Sequence, residues 1–169
     1  MKYLVVTIPR KELGTRAEAR NKEIKRALKL GADYILMVDD DQAIPIDGLA
    51  DMRNAVVVDG YDMAIIDAPS KDGQLPTNVT YHPDGTIAWT GFGCVLFKAE
   101  IFQKLLDPWF DDSYTYTFEI KKGKFVFTKV DKYKPDNVGE DSNFYFKLTE
   151  ADYKIKIIED IKCLHKEIE

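Results

Sequence analysis

Three adjacent carboxylates, Asp39, Asp40 and Asp41, follow directly on the apolar run Tyr34-Ile-Leu-Met-Val38. Such a run reads as a strand, and open α/β sheets bind ligands beyond the carboxyl ends of their strands. In extended chain Asp39 and Asp41 would point to one side, about 7 Å apart. Their mutual repulsion is a standing cost that a cation relieves, and hard oxygen ligands suit Mg²⁺ or Mn²⁺. An acidic turn after a strand is the plainer alternative, because a bare D-x-D recurs by chance. A second acidic pair, Glu140-Asp141, precedes the helical stretch Asn143-Phe-Tyr-Phe-Lys147. Acidic residues there suit a helix cap and the helix dipole; the functional alternative is a general base that deprotonates a hydroxyl. His165 is a candidate nitrogen ligand, although a lone histidine is more often an ordinary satisfied residue. His82, beside a turn, reads as a loop residue. Thr90-Gly-Phe-Gly93 sets Gly91 and Gly93 where backbone can approach a ligand closely, or simply turn.

The elements that would position these groups are legible in the patterning. Tyr3 to Ile8 is a continuous apolar run closed by Pro9, which predicts a strand buried on both faces. Residues 15–30 have helical spacing: Thr15 and Glu18 form a capping box, Ala17, Ile24, Ala27 and Leu28 an apolar face, and Gly31 a stop. With the strand that begins at Asp33 this spells β-α-β, hence parallel strands and a right-handed crossover. Further along, the patterning predicts a helix over 46–57, a strand at 63–66 and an exposed polar loop at 70–78. A hairpin around Pro83-Asp84-Gly85, a strand at 94–97 and a helix at 99–106 follow. The rest reads as a hairpin around Lys121-Lys122-Gly123-Lys124, a helix at 142–150 and a strand at 153–158. The alternation of the first half and the strand-rich second half predict an α/β fold, a mixed sheet with helices on both sides.

A length of 169 residues fits a single domain over 1–169. With 45% apolar and 31% charged residues the chain is expected to fold, and its net charge of −5 disfavours general nucleic-acid binding, which rests on phosphate neutralisation. Arg10, Lys11, Arg16, Arg20, Lys22, Lys25, Arg26 and Lys29 nevertheless crowd the first 30 positions. Most of these read as a solvated helix face; the arginines are close enough to the acidic site to meet a diphosphate. Cys94 and Cys163 form no C-x-x-C pair and lie in apolar strands, so buried free thiols and a reducing compartment are expected. No run is long enough for a membrane span or a signal-peptide core, so a cytoplasmic protein is expected.

Taken in register, these stretches resemble the GT-A-fold glycosyltransferases of the family 2 type. The resemblance is carried by Arg20-Asn21, by 31–41 ending in Asp-Asp-Asp41, and by Thr90-Gly-Phe-Gly-Cys-Val-Leu-Phe97. It continues through Pro108-Trp-Phe110, Gly139-Glu-Asp-Ser-Asn-Phe-Tyr-Phe146 and Ala151-Asp-Tyr-Lys-Ile155, and ends on Cys163-Leu-His165. It implies a GT-A-like (Rossmann-like) sheet, a nucleotide-sugar donor, an acceptor hydroxyl on a glycan, lipid or protein, and inversion at the sugar. On that resemblance Asp39 and Asp41, with Asp40 between them, meet ribose, diphosphate and a Mn²⁺ or Mg²⁺ ion. His165 completes the metal shell, Asp141 beside Glu140 is the acceptor base, and the Gly91–Gly93 turn lies beside the donor sugar. Family members usually carry another strand and helix before the Arg-Asn helix. Here Ile8-Pro9 runs almost straight into it, so the base pocket would be rebuilt from Thr7, Pro9, Arg10 and Arg16. Tyr81, Trp89 and Trp109 are candidates to stack on sugar faces or to pack the core. Two rivals share the carboxylates: a sugar-phosphate nucleotidyltransferase, for which Lys11-Glu-Leu-Gly14 is a poor glycine-rich loop, and a binding module without turnover.

Overall fold

The computed structural model describes residues 1–9, 15–68, 77–130 and 139–165, with the His165 side chain outside that set. Strands β1 (Tyr3–Ile8) and β2 (Tyr34–Asp39) flank helix α1 (Arg16–Lys29). The chain continues through β3 (Gln42–Ala43), α2 (Ile46–Arg53) with a π-helical turn at Asn54–Val58, and β4 (Met63–Asp67). Then come β5 (Val79–Tyr81), β6 (Ile87–Thr90), β7 (Cys94–Lys98) and α3 (Glu100–Lys104). The chain ends in β8 (Thr115–Lys121), β9 (Lys124–Val130), α4 (Glu140–Glu150), β10 (Ile155–Lys162) and β11 (Leu164–His165).

Five strands form one mixed sheet in the order β1-β2-β7-β4-β10. β1 pairs parallel with β2 from Tyr3↔Tyr34 to Ile8↔Asp39, and β4 pairs parallel with β10. β7 runs antiparallel between β2 and β4, so its first residue, Cys94, sits opposite Val38 near the carboxyl end of β2. Side chains alternate across a sheet, and here both faces are apolar. Ile35, Met37, Met63, Ile65, Val95 and Phe97 join α1, α3 and α4 in one core. Leu36, Ala64, Ile66, Cys94 and Leu96 join α2 in the other. Helices on both faces of a mixed sheet make this an α/β, Rossmann-like fold. The three central strands therefore read as unbroken apolar runs, as double-sided burial requires.

Local chemistry explains the ends of the elements. The Glu18 N–H donates to Thr15 Oγ1 and the Thr15 N–H to Glu18 Oε2, completing the capping box of α1. Gly31 follows the helix at φ +73°, in the left-handed region that glycine tolerates. β1 departs from expectation. It is one of the sheet's two edges, and its burial alternates, with Val5 61% exposed while Val6 and Ile8 are buried. An apolar run cannot say which of its faces will find a covering layer. The expected loop at 70–78 lies mostly outside the described residues. None of the described helices is long and apolar enough to cross a membrane.

Candidate active site

The topology delivers the candidate groups to one end of the sheet. The carboxyl ends of β1, β2, β4 and β10 lie there, together with the start of the reversed strand β7. β2 ends at Asp39, whose N–H donates to the Gly93 carbonyl at 2.8 Å, and the Asp40 N–H donates to the Ile8 carbonyl at 3.0 Å. Asp40 and Asp41 then turn the chain into β3. The 39–41 segment is thus a turn and not the extended chain from which a same-side spacing was expected. The backbone bonds to Ile8 and Gly93 end the strand. Asp39 and Asp41 remain near enough that Asp41 acts electrostatically on Asp39.

Arg20 organises the site. It lies on the inner face of α1 and is wholly buried. Its guanidinium bonds Asp39 Oδ1 at 3.2 Å and Glu140 Oε1 at 3.0 Å, and it forms an ion pair with Asp141. It also lies over the Phe110 ring, 5.4 Å from the centroid. A planar fork of donors serves several carboxylates at once where a lysine would serve one. Arg16, one turn earlier and partly exposed, stands 3.9 Å from Asp39 Oδ2. Burial raises the Asp39 carboxyl above its ordinary value, and Arg20 and Arg16 oppose that shift. Arg20 was expected at a diphosphate, but it is spent on carboxylates. The sequence shows its charge and not its burial.

Glu140 and Asp141 occupy the first turn of α4, whose N-cap is Gly139 and carries no side-chain cap. Asp141 does not cap the helix. Its Oδ2 accepts the Phe92 N–H at 3.1 Å. A Cβ at Gly91 would come within 3.6 Å of that same oxygen, and one at Gly93 would meet the Gln42 amide at 2.2–2.7 Å. The two glycines thus let β7 begin between the acidic turn and the start of α4. Two asparagines brace the arrangement. Asn21 bonds the Phe110 carbonyl and N–H at 2.7 and 3.1 Å, and Asn143 donates to the carbonyls of Asp111 and Tyr114.

Asp67, at the carboxyl end of β4, was not among the expected site residues. It is buried, accepts from Thr77 Oγ1 at 2.6 Å and from the Asn78 N–H at 3.0 Å, and forms an ion pair with Lys162. Its position after Met-Ala-Ile-Ile66 is the signal that could have found it, because that pattern matches Asp39 after β2. β11 then crosses to pair antiparallel with β3, placing His165 opposite Gln42. The main chain of His165 therefore reaches the acidic turn, while its side chain lies outside the described residues, as does all of Arg10. Thr7 is exposed near the end of β1, and Pro9 follows it partly buried. Cys94 and Cys163 are both buried and free. The Cys94 thiol donates to Gln42 Oε1 at 2.9 Å, and its hydrogen bond with Cys163, followed by burial, pushes it well above the ordinary thiol value. It is packing beneath the turn and no nucleophile. Trp109 is a core residue bonded to the Leu105 carbonyl, and Tyr81 donates to Glu159, so neither faces the acidic turn.

Among the described residues no group of three or more His, Cys, Asp or Glu side chains is poised to hold a metal ion. The donor set at the turn is carboxylate oxygen. Mg²⁺ in nucleotide sites is commonly held by one or two carboxylates, with phosphate oxygens and water completing the shell. Asp39 and Asp41 fit that pattern in number and chemistry. Two cavities, of about 540 and 530 Å³, lie elsewhere: one at the far end of the sheet by Tyr34 and Lys98, the other along β10 beside Tyr81 and Glu159.

No family model matches the chain, and no curated protein matches it. Its fold is similar to the crystal structure of A197 from STIV, with a TM-score of 0.66 at 17% identity over 98% of this chain and 85% of that one. It is less similar to 4-diphosphocytidyl-2C-methyl-D-erythritol synthase from Anaerococcus prevotii DSM 20548. There the TM-score is 0.44 at 16% identity, over 87% of this chain and 57% of that one.

Proposed function

We propose that this end of the sheet binds a nucleotide sugar and transfers its sugar to an acceptor hydroxyl. The observation that supports the reading is the meeting of two distant segments on one buried cation. Asp39 from β2, and Glu140 and Asp141 from α4, surround Arg20, with the Gly91–Gly93 turn against Asp141. A donor diphosphate would lie at the acidic turn, where Arg16 is a partly exposed cation able to meet it. Thr7 and Pro9 would border the nucleotide at the end of β1, with Arg10 beyond them in sequence. Asp39 and Asp41 would hold a Mn²⁺ or Mg²⁺ ion with His165 as a further ligand. The ion's contribution when bound is to offset the negative charge that grows on the leaving diphosphate.

Asp141 is the candidate base. Arg20 and the Phe92 N–H engage its two oxygens and hold it in place. It would take the acceptor proton as the acceptor oxygen bonds to the anomeric carbon and the bond to the diphosphate breaks. Attack from the face opposite the leaving group inverts that carbon. Glu140, on the same guanidinium, would share in keeping Asp141 aimed.

The test is thermal stability against a panel of nucleotide sugars with Mn²⁺, for the wild type and Asp41→Ala. Binding to the folded state raises the melting temperature by mass action. The wild type should rise with at least one donor and Asp41→Ala should not; because Asp41 is wholly buried, the variant's own apo melting transition is measured first to establish that it folds. An unchanged response in Asp41→Ala removes the metal assignment, and no response to any donor removes the nucleotide-sugar reading.

A further inference from the structure

The β8–β9 hairpin stands apart from the main sheet and has no part in the site described above. Its strands pair in register from Thr115↔Val130 to Lys121↔Lys124. The turn is Lys122-Gly123, with φ +51° and +74°. Consecutive positive φ values mark the tight hairpin turn that normally takes Asn-Gly or Gly-Gly. A lysine there accepts a backbone strain that asparagine or glycine would lessen. Between Thr115 and Val130 the hairpin carries four lysines against Glu119, a net charge of +3 in a chain whose total is −5.

The same hairpin leaves apolar surface uncovered. Ile120 is 67% and Phe118 50% exposed, and Val126 is also exposed. The base of the ribbon is firmly mounted, since Trp89 packs on Phe118, Phe125 and Phe127, and Phe127 packs on Phe146 of α4. The Phe125 N–H also donates to His82 Nδ1. Rigid at its base, the ribbon carries bare Ile120 beside Lys121, Lys122 and Lys124. Lys121 pairs with Glu119 and Lys124 with Asp84, but both pairs are exposed and such pairs contribute little.

We infer that the β8–β9 tip docks on an anionic lipid surface, inserting Ile120 at the headgroup level, with the uncovered half of Phe118 behind it, while the tip lysines meet lipid phosphates. Apolar side chains ringed by lysines are the composition that binds such an interface, and each lysine near an anionic leaflet adds to the attraction. Ile120 has no flat ring to stack on a base, and the Phe118 ring is already packed on Trp89 and Phe125, which sets the tip apart from the open aromatic platforms that hold single-stranded nucleic acid. Helix α1 is basic too, but none of its large apolar side chains is exposed, so the hairpin is where positive charge and bare apolar surface coincide.

The experiment is sedimentation of the full chain with vesicles of phosphatidylcholine alone and of phosphatidylcholine mixed with phosphatidylserine. The wild type is compared with Ile120→Ser and with Lys121→Gln, Lys122→Gln and Lys124→Gln combined. Both variants change exposed side chains, and unaltered thermal melting establishes that they fold. The wild type should bind the anionic vesicles and not the neutral ones, more weakly as salt rises. Each variant should lose about tenfold or more in partitioning. Absence of binding to anionic vesicles, or equal binding by the variants, overturns the inference. So does a wild type whose tip residues serve only a single-stranded oligonucleotide, or only a concentration-dependent dimer, with no vesicle binding.

Discussion

Replacing Arg20 by Met removes the one wholly buried cation from among Asp39, Glu140 and Asp141. Methionine fills similar volume over the Phe110 ring, so the change is chiefly one of charge. Arg16 remains near Asp39, but at 3.9 Å and partly exposed it replaces little of the field. Breaking a buried ion pair from one side costs about 3–5 kcal/mol. In a chain of this size that corresponds to a fall of about 10 °C in melting temperature. The loss should depend on pH, with a definite sign. The folded state already holds the Asp39 proton more tightly than the unfolded chain, because burial raises its carboxyl. Losing Arg20 raises it further. The folded variant then binds more protons than its unfolded form, so its stability falls as pH rises through that range and recovers on acidification. Urea unfolding of both proteins, followed by the fluorescence of Trp89 and Trp109, measures this between about pH 5 and 8. The variant's deficit should be largest near neutrality and shrink towards acid. A deficit under about 1 kcal/mol, the scale of an exposed pair, would refute the claim that this guanidinium neutralises the cluster. So would a deficit that does not vary with pH.

Two further predictions concern the same site. Gly93→Ala places a Cβ against the Gln42 amide, at 2.2 Å from its Nε2, and should cost about 1–3 kcal/mol in urea unfolding, as overpacking does. Gly31→Ala shows strain alone, since nothing lies within 4 Å of its Cβ, and serves as the control. Asp141→Asn should keep donor binding, read by thermal shift, and lower transfer by about 10²-fold or more, the usual scale for loss of a general base. Retained turnover with a lowered melting point would make Asp141 a structural anchor for Phe92 and Arg20.

What could be read in the sequence was what short spacings decide. The capping box of Thr15 and Glu18, the hairpin turn at Lys122-Gly123 and the apolar strands 34–38, 63–66 and 94–97 each depend on neighbours within a few residues, and the structure contains all of them. The reversed strand β7 was beyond that reach, because its direction is set by how the chain returns from the β5–β6 hairpin. It is β7 that brings Gly93 to Asp39. The edge position of β1 and the β3–β11 pairing are likewise settled across the fold. Arg20 is the clearest case: one of many basic residues on a helix, it is singled out only by the carboxylates that β2 and α4 bring to it. Cys94 and Cys163, 69 positions apart in the numbering, gave no sign that they would touch.

Under the proposed function the acidic turn and Asp141 together move a sugar from a nucleotide. The most direct test of that function incubates the wild type and Asp41→Ala with Mn²⁺ and a panel of nucleotide sugars, and separates the nucleotide products by ion-exchange chromatography. The wild type should release nucleoside diphosphate, slowly to water and faster once an acceptor hydroxyl is supplied, and Asp41→Ala should release none above background. Exchange of pyrophosphate into nucleoside triphosphate, with no diphosphate released, would contradict the account and identify a nucleotidyltransferase. Tight donor binding with neither product would contradict it in favour of a binding module.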